Sequence, residues 1–158
     1  TLNQTNFTSS QLNESTFYLS NISKSIFNKA LLKKSNLHGI SAFETKFISA
    51  NLEMANLTKG YFVLADFSKA NLKGADLSRS NLLGAKFFES DLRDANLEKV
   101  KNLSHKNLQG ALYNRNTNWP GDDKDFEMNR LKVKKLCGPF SNREQICKVS
   151  PIKRPPAF

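Results

Sequence analysis

The 158-residue sequence predicts an all-β solenoid, a four-sided β-helix, on three observations about spacing. A large apolar residue recurs at every fifth position, from Leu2, Phe7, Leu12, Phe17 and Ile22 onward to Leu97, and Ala42 alone breaks the series. Two residues before each stands a small one, Ser or Thr in the first repeats and mostly Ala later, with Ile40 as the exception. Sorted by twenty, the large residues fall into like columns: Phe7, Phe27, Phe47, Phe67 and Phe87 in one, Leu12, Leu32, Leu52, Leu72 and Leu92 in the next.

A period of five suits neither a helix at 3.6 nor a flat strand at 2, since either would scatter these side chains over every face. The backbone must turn a corner in each repeat, with the large residue and the small one before it pointing inward. The small residue is required because a narrow interior already holds the large side chains. Like stacking on like every fourth repeat, with backbone bonds between coils, makes four sides. Twenty such repeats predict about five coils and a rod about 24 Å long at roughly 4.8 Å per coil.

Ala50-Asn51-Leu52, Ala55-Asn56-Leu57, Ala65-Asp66-Phe67, Ala70-Asn71-Leu72 and Ala75-Asp76-Leu77 carry an A(D/N)LXX signature, by which the chain resembles the pentapeptide-repeat family of bacteria, cyanobacteria above all. The resemblance implies a right-handed quadrilateral β-helix, the pentapeptide-repeat fold; with no cofactor-binding motif in the sequence, no cofactor is expected. In the N-terminal third, Ser and Thr replace Ala before the large residue, and their hydroxyls can bond the local backbone.

The expected organisation is a β-helix over residues 1–103, a capping segment over 104–121, a small helical extension over 122–150 and an extended tail over 151–158. After Leu97 the register slips by one, to Leu103 and Leu108. Two readings are open: shifted repeats, or a short helix over 105–110 capped by Ser104, which the need for a polar-faced cap favours. Gly110-Ala111-Leu112-Tyr113 and Thr117-Asn118-Trp119-Pro120 look like the closing segment of many family members, with Trp119 packed over the last coil. Beyond Pro120, Asp122, Asp123 and Asp125 precede apolar residues and a lysine cluster, the charge order of a helix over roughly 123–137. Ser141 with Glu144 forms a capping-box pattern for a second helix, and the proline-rich end reads as extended. Cys137 and Cys147 either form a disulfide or stay reduced. A disulfide would imply an exported compartment such as a periplasm or thylakoid lumen, and reduced thiols the cytoplasm.

The net charge of +10 is uneven, because residues 1–100 carry 12 Lys and Arg against 9 Asp and Glu whereas residues 101–158 carry 12 against 5. A basic tail can dock on acidic proteins, anionic lipid or nucleic acid, though scattered lysines most often serve solubility. The basic residues lack interleaved aromatics, which disfavours direct nucleic-acid binding. No apolar stretch approaches the roughly 18 residues of a membrane span. A chain starting at Thr1 suggests that processing or trimming removed a segment. His38 and His105 have no metal-site spacing, His38 is expected at the solvent surface, and no phosphate loop, nucleophile elbow or catalytic constellation is present.

Function is therefore sought on the outward residues. On the side holding Leu2, Ile22, Ala42, Phe62 and Leu82, the outward Phe43, Val63 and Leu83 recur at twenty-residue spacing with Tyr61 and Leu64 beside them. Such an apolar stripe marks an interface for the chain's own tail or for another protein, a second copy included. Alternatively, Phe43 turns inward to fill the gap left by Ala42. At the other surface, Leu2 is already in register, so the N-terminal edge is expected open, covered by upstream residues or by a head-to-head homodimer. The expected function is a non-enzymatic protein-interaction scaffold. The alternative, a DNA-mimicking topoisomerase (gyrase) inhibitor as some family members are, is disfavoured because mimicry needs an acidic surface.

Overall fold

The computed structural model describes residues 1–121 and 147–148. Parallel bridges join each residue before a large one to its counterpart twenty positions on, as in Asn6 to Ile26, Ile26 to Lys46, Lys46 to Asp66 and Asp66 to Lys86. Each coil is therefore twenty residues with four sides. Side 1 carries Ile22, Ala42, Phe62 and Leu82 inward, side 2 Phe27, Phe47, Phe67 and Phe87, side 3 Leu32, Leu52, Leu72 and Leu92, and side 4 Leu37, Leu57, Leu77 and Leu97, all fully buried.

One repeat, residues 65–69, shows why the chain coils this way. The Ala65 amide donates to Phe62 O at 3.1 Å across the turn, Asp66 to Thr45 O of the preceding coil at 2.9 Å, and Phe67 to Lys86 O of the next at 2.8 Å. The Lys69 amide reaches Phe88 O at 2.7 Å. The remaining amide, Ser68, points away from both neighbours and donates to the Asp66 carboxylate at 2.9 Å. All five amides are satisfied, as buried backbone requires. The Asn or Asp before the large residue is thus a turn device. Asn36, Asn51, Asn71, Asp76 and Asn96 bond the amide two residues on in the same way.

The corner imposes a cost. The second residue after each large one is left-handed, at φ 59° in Lys29 and Lys69 and 60° in Lys24 and Arg79. A non-glycine residue there loses roughly 1–2 kcal/mol, and the ladder offsets it. At Gly84 (φ 68°) the conformation is free, and the missing side chain makes room for Leu64, whose Cδ2 would lie 2.7 Å from a Cβ.

Coil spacing is measured by the rings of side 2. Phe7, Phe27, Phe47, Phe67 and Phe87 stack with centroids 4.6, 5.2, 4.9 and 5.1 Å apart. Phe7 and Leu12 belong to the first coil, covered on one side only, and are half-buried. Ser and Thr at the small positions use their hydroxyls within the wall: Ser35 Oγ donates to Leu32 O at 2.7 Å and Thr45 Oγ1 to Ile22 O at 2.9 Å. Ser80 Oγ is buried with no partner.

The two exceptions to the repeat compensate each other. Ile40 and Ala42 point into the same corner, and both are buried. The large side chain has moved two residues back, so the enclosed volume is kept. One coil on, Phe62 leans over Gly60 so closely that a Cβ on Gly60 would meet its Cε2 at van der Waals overlap. Phe43 accordingly stays outside, half-buried, and does not turn inward; the space beside Ala42 is already filled by Ile40 and Phe62.

At the C-terminal end both readings of the slipped register hold in part. Asn102 adopts φ 61° and is exposed, while Leu103 turns into the interior. A 3₁₀ turn, His105–Leu108, then brings Leu108 over Phe87, since Phe87 N donates to Asn107 O at 2.7 Å. Asp91 bridges Leu112 and Asn96 bridges Asn118, at offsets of 21 and 22, so the wall continues with extra residues let into its corners. Trp119 packs on the core, its ring edge-on to Tyr113 at 5.6 Å. Strand β1 (Leu112–Tyr113) pairs antiparallel with β2 (Cys147–Lys148), which occupies a sheet edge that would otherwise be open. The helices expected over 123–137 and after Ser141, the tail over 151–158, and Cys137 with its disulfide lie outside the described residues.

Two substitutions test this packing. Gly60→Ala should lower stability by about 2 kcal/mol, because Phe62 cannot retreat from a filled interior. Ser80→Ala should raise it by about 1 kcal/mol by removing an unsatisfied buried hydroxyl. Both are read from urea denaturation midpoints; a stabilised Gly60→Ala or a weakened Ser80→Ala would contradict the account.

Candidate interaction surface

The residues expected to face water on side 1 separate into two kinds. Val63 is only 7% exposed, a correction to its expected outward display. Its neighbours explain this, because Glu44 N donates to Val63 O and Leu64 N to Leu83 O, which sets Phe43 and Leu83 directly against it in the adjoining coils. Tyr61, Leu64 and Leu83 remain 47%, 49% and 52% exposed. The structure thus brings together Phe43, Tyr61, Val63, Leu64 and Leu83, Val63 being the floor of the patch and the other four its surface. The β-helix wall holds these side chains in fixed positions, so little backbone order would be lost on contact.

Side 4 carries a second surface group that the repeat pattern did not single out. Tyr18 stacks on His38 with centroids 5.4 Å apart, and His38 Nδ1 lies 2.6 Å from Thr58 Oγ1. His38 lies on the outer face and is half-buried by this ladder. The signal that could have located it is the same twenty-residue column, Tyr18, His38 and Thr58, read on the outer face.

Charges are arranged in columns too. Lys24 pairs with Glu44 at 3.9 Å, Lys33 with Glu53 at 3.1 Å and Lys69 with Glu89 at 4.0 Å, each pair joining successive coils. Two columns depart from this rule: in one, Lys73 is followed one coil on by Arg93, which pairs with Asp91; the other is longer. Lys59, Arg79 and Lys99 occupy the corner leading into side 1 in three successive coils, linked by Lys59 N to Ser78 O and Arg79 N to Glu98 O, and all three are exposed. Lys99 meets Glu98 beside it at 3.0 Å.

The terminal coil is locked by one acidic residue. Asp94 Oδ1 accepts from Asn114 Nδ2 at 2.9 Å and Asn116 Nδ2 at 2.8 Å, while the buried Asn114 accepts from Asp94 N at 3.0 Å. The hydrogen bonds from Asn114 and Asn116, aided by Lys73 and Arg93, hold the Asp94 carboxyl below the usual aspartate range, against a small opposing effect of burial. A lowered folded pKa stabilises above the unfolded value and is lost as pH falls through the folded one. Asn114→Ala should cost about 2 kcal/mol at neutral pH, and the difference from the parent chain should narrow as pH drops below the ordinary aspartate range. Melts across pH check this; a pH-independent difference would refute it.

Among the described residues no group of three or more His, Cys, Asp and Glu is placed to hold a metal ion. No helix among them is long and apolar enough to cross a membrane. The described surface offers an apolar patch, a cationic column and a rigid support.

The pattern described as pentapeptide repeats matches residues 2–40 and 65–101, in eight copies. The chain is similar to a pentapeptide repeat protein of the Arabidopsis thaliana thylakoid lumen, at 26% identity over 70% of this chain and 77% of that one, with a TM-score of 0.55. It is similar to HetL of the cyanobacterium Nostoc sp. strain PCC 7120, a pentapeptide repeat protein involved in heterocyst differentiation regulation, at 23% identity over 67% of this chain and 58% of that one, with a TM-score of 0.50. A further pentapeptide repeat protein of Nostoc is 32% identical over 63% of this chain and 77% of its own, with a TM-score of 0.38. No curated protein matches the chain in sequence.

Proposed function

This chain belongs to the pentapeptide repeat family, whose fold is the right-handed β-helix, and from that premise we propose that it is a non-enzymatic interaction scaffold that docks a protein on side 1. The observation that carries the reading is the cluster of Tyr61, Leu64 and Leu83, half-exposed around Val63 on successive rigid coils. Isolated exposed apolar residues need no explanation, but a contiguous group on a regular wall does. The interior is filled by invariantly inward columns, so binding falls to the outward positions. Fold alone does not assign the partner.

A DNA-mimicking gyrase inhibitor is the weaker reading. It requires an acidic surface, whereas residues 1–100 carry 12 Lys and Arg against 9 Asp and Glu, and the cationic column faces outward.

The test uses Leu64→Ser with Leu83→Ser, both at exposed positions where the fold should tolerate polarity. Light scattering of the parent chain and the double variant, with affinity capture from its native host by each, should show a bound protein or a second copy lost from the variant at unchanged melting temperature. Identical binding by both chains would rule out side 1 as the docking surface.

A further inference from the structure

The outer face of side 1 is bounded by two columns of opposite character. Along one edge run Phe43, Val63 and Leu83; along the other, Lys59, Arg79 and Lys99. Val63 lies four residues after Lys59, so the columns stand no more than about 14 Å apart. A single α-helix, roughly 10–12 Å across with its side chains, can therefore reach both. Between them lies Tyr61, which offers a ring and a hydroxyl.

Among the described residues, ionic contacts within the fold do not account for the cationic column. Lys24, Lys33 and Lys69 each meet a Glu of the next coil, and where Lys73 is followed by Arg93 the arginine pairs with Asp91. Here three cations succeed one another at the coil spacing of about 4.8 Å. Among the described residues only Lys99 of the three has an ion-pair partner, its sequence neighbour Glu98. Like charges so placed repel, weakly in salt, and among the described residues no ion pair offsets this at Lys59 and Arg79. An acidic partner would supply counter-charge to Lys59 and Arg79.

We propose that side 1 receives an acidic amphipathic helix of another protein, laid along the rod axis. Its apolar stripe covers Val63 and Leu83, and its Asp and Glu flank meets Lys59, Arg79 and Lys99. Three coils span two steps of about 4.8 Å, which a helix rising roughly 1.5 Å per residue crosses in about seven residues, two turns with anchors at i, i+3, i+4 and i+7. The inference rests on the reading of side 1 as a docking surface and adds the partner's charge and shape.

The probe is a fluorescein-labelled helical peptide of about fourteen residues with Leu at i, i+3, i+4 and i+7 and Glu along one flank, compared with a counterpart in which every Glu is Lys. Anisotropy should show the acidic peptide binding, more weakly at high salt, with affinity falling about tenfold in Lys59→Glu with Arg79→Glu and also falling in Leu83→Ser. Lys59→Gln with Arg79→Gln gives the intermediate value if charge is the cause, and unchanged melting temperatures exclude misfolding. No binding of the acidic peptide, equal binding of both peptides, or indifference to the charge reversals overturns the proposal. Binding of the Lys peptide alone, lost in Leu83→Ser, overturns it while leaving side 1 a docking surface.

Discussion

Everything in this molecule depends on a backbone that closes its hydrogen bonds once every twenty residues. Within the repeat of residues 65–69, two amides reach the next coil, one reaches the previous coil, one closes the turn and one is taken by the Asp66 side chain. No amide is left over, so the register has no slack. A shift of one residue would turn every inward Phe and Leu to water and leave the turn amides without their Asn or Asp acceptor. The left-handed residue at each corner is the cost of this closure, borne by Lys, Ser and Glu as well as by Gly.

Register also dictates what the interior tolerates. With rings on side 2 about 5 Å apart, each inward side chain has a neighbour directly above and below, and a volume change at one level must be answered at the same level or the next. Ile40 with Ala42, and Gly60 with Phe62, are two such answers in adjacent coils. The C-terminal end obeys the same constraint in a looser form. Residues inserted at the corners stay outside, as Asn102 does, so that Leu108 and Trp119 still reach the stack, and β2 takes up the edge at β1.

The outer surface is where the constraint relaxes, and there the columns become a means of display. A side chain at an outward position is repeated every coil at fixed spacing, so similar neighbours sum into stripes. Charge alternates along some of these stripes, as in Lys33 with Glu53 and Lys69 with Glu89. Side 1 departs from alternation on both of its edges, with cations on one and apolar groups on the other, and for that reason it is the face on which function is sought.

The period of five and its multiple of twenty were enough, without coordinates, to place Phe27, Phe47 and Phe67 in one column and to name the residues of side 1, because a repeating backbone gives every residue of one phase the same environment. Three matters needed the tertiary structure. Val63 is covered by Phe43 and Leu83, which depends on side-chain sizes in neighbouring coils, not on phase. Phe43 stays outside because Ile40 and Phe62 fill the corner first, a competition for volume that spacing does not express. The column of Lys59, Arg79 and Lys99 was present in the sequence but unread, since charge acquires meaning only when residues twenty apart are seen as neighbours. Phase is a property of the chain alone; contact between coils is a property of the fold, and the second decides what the surface can bind.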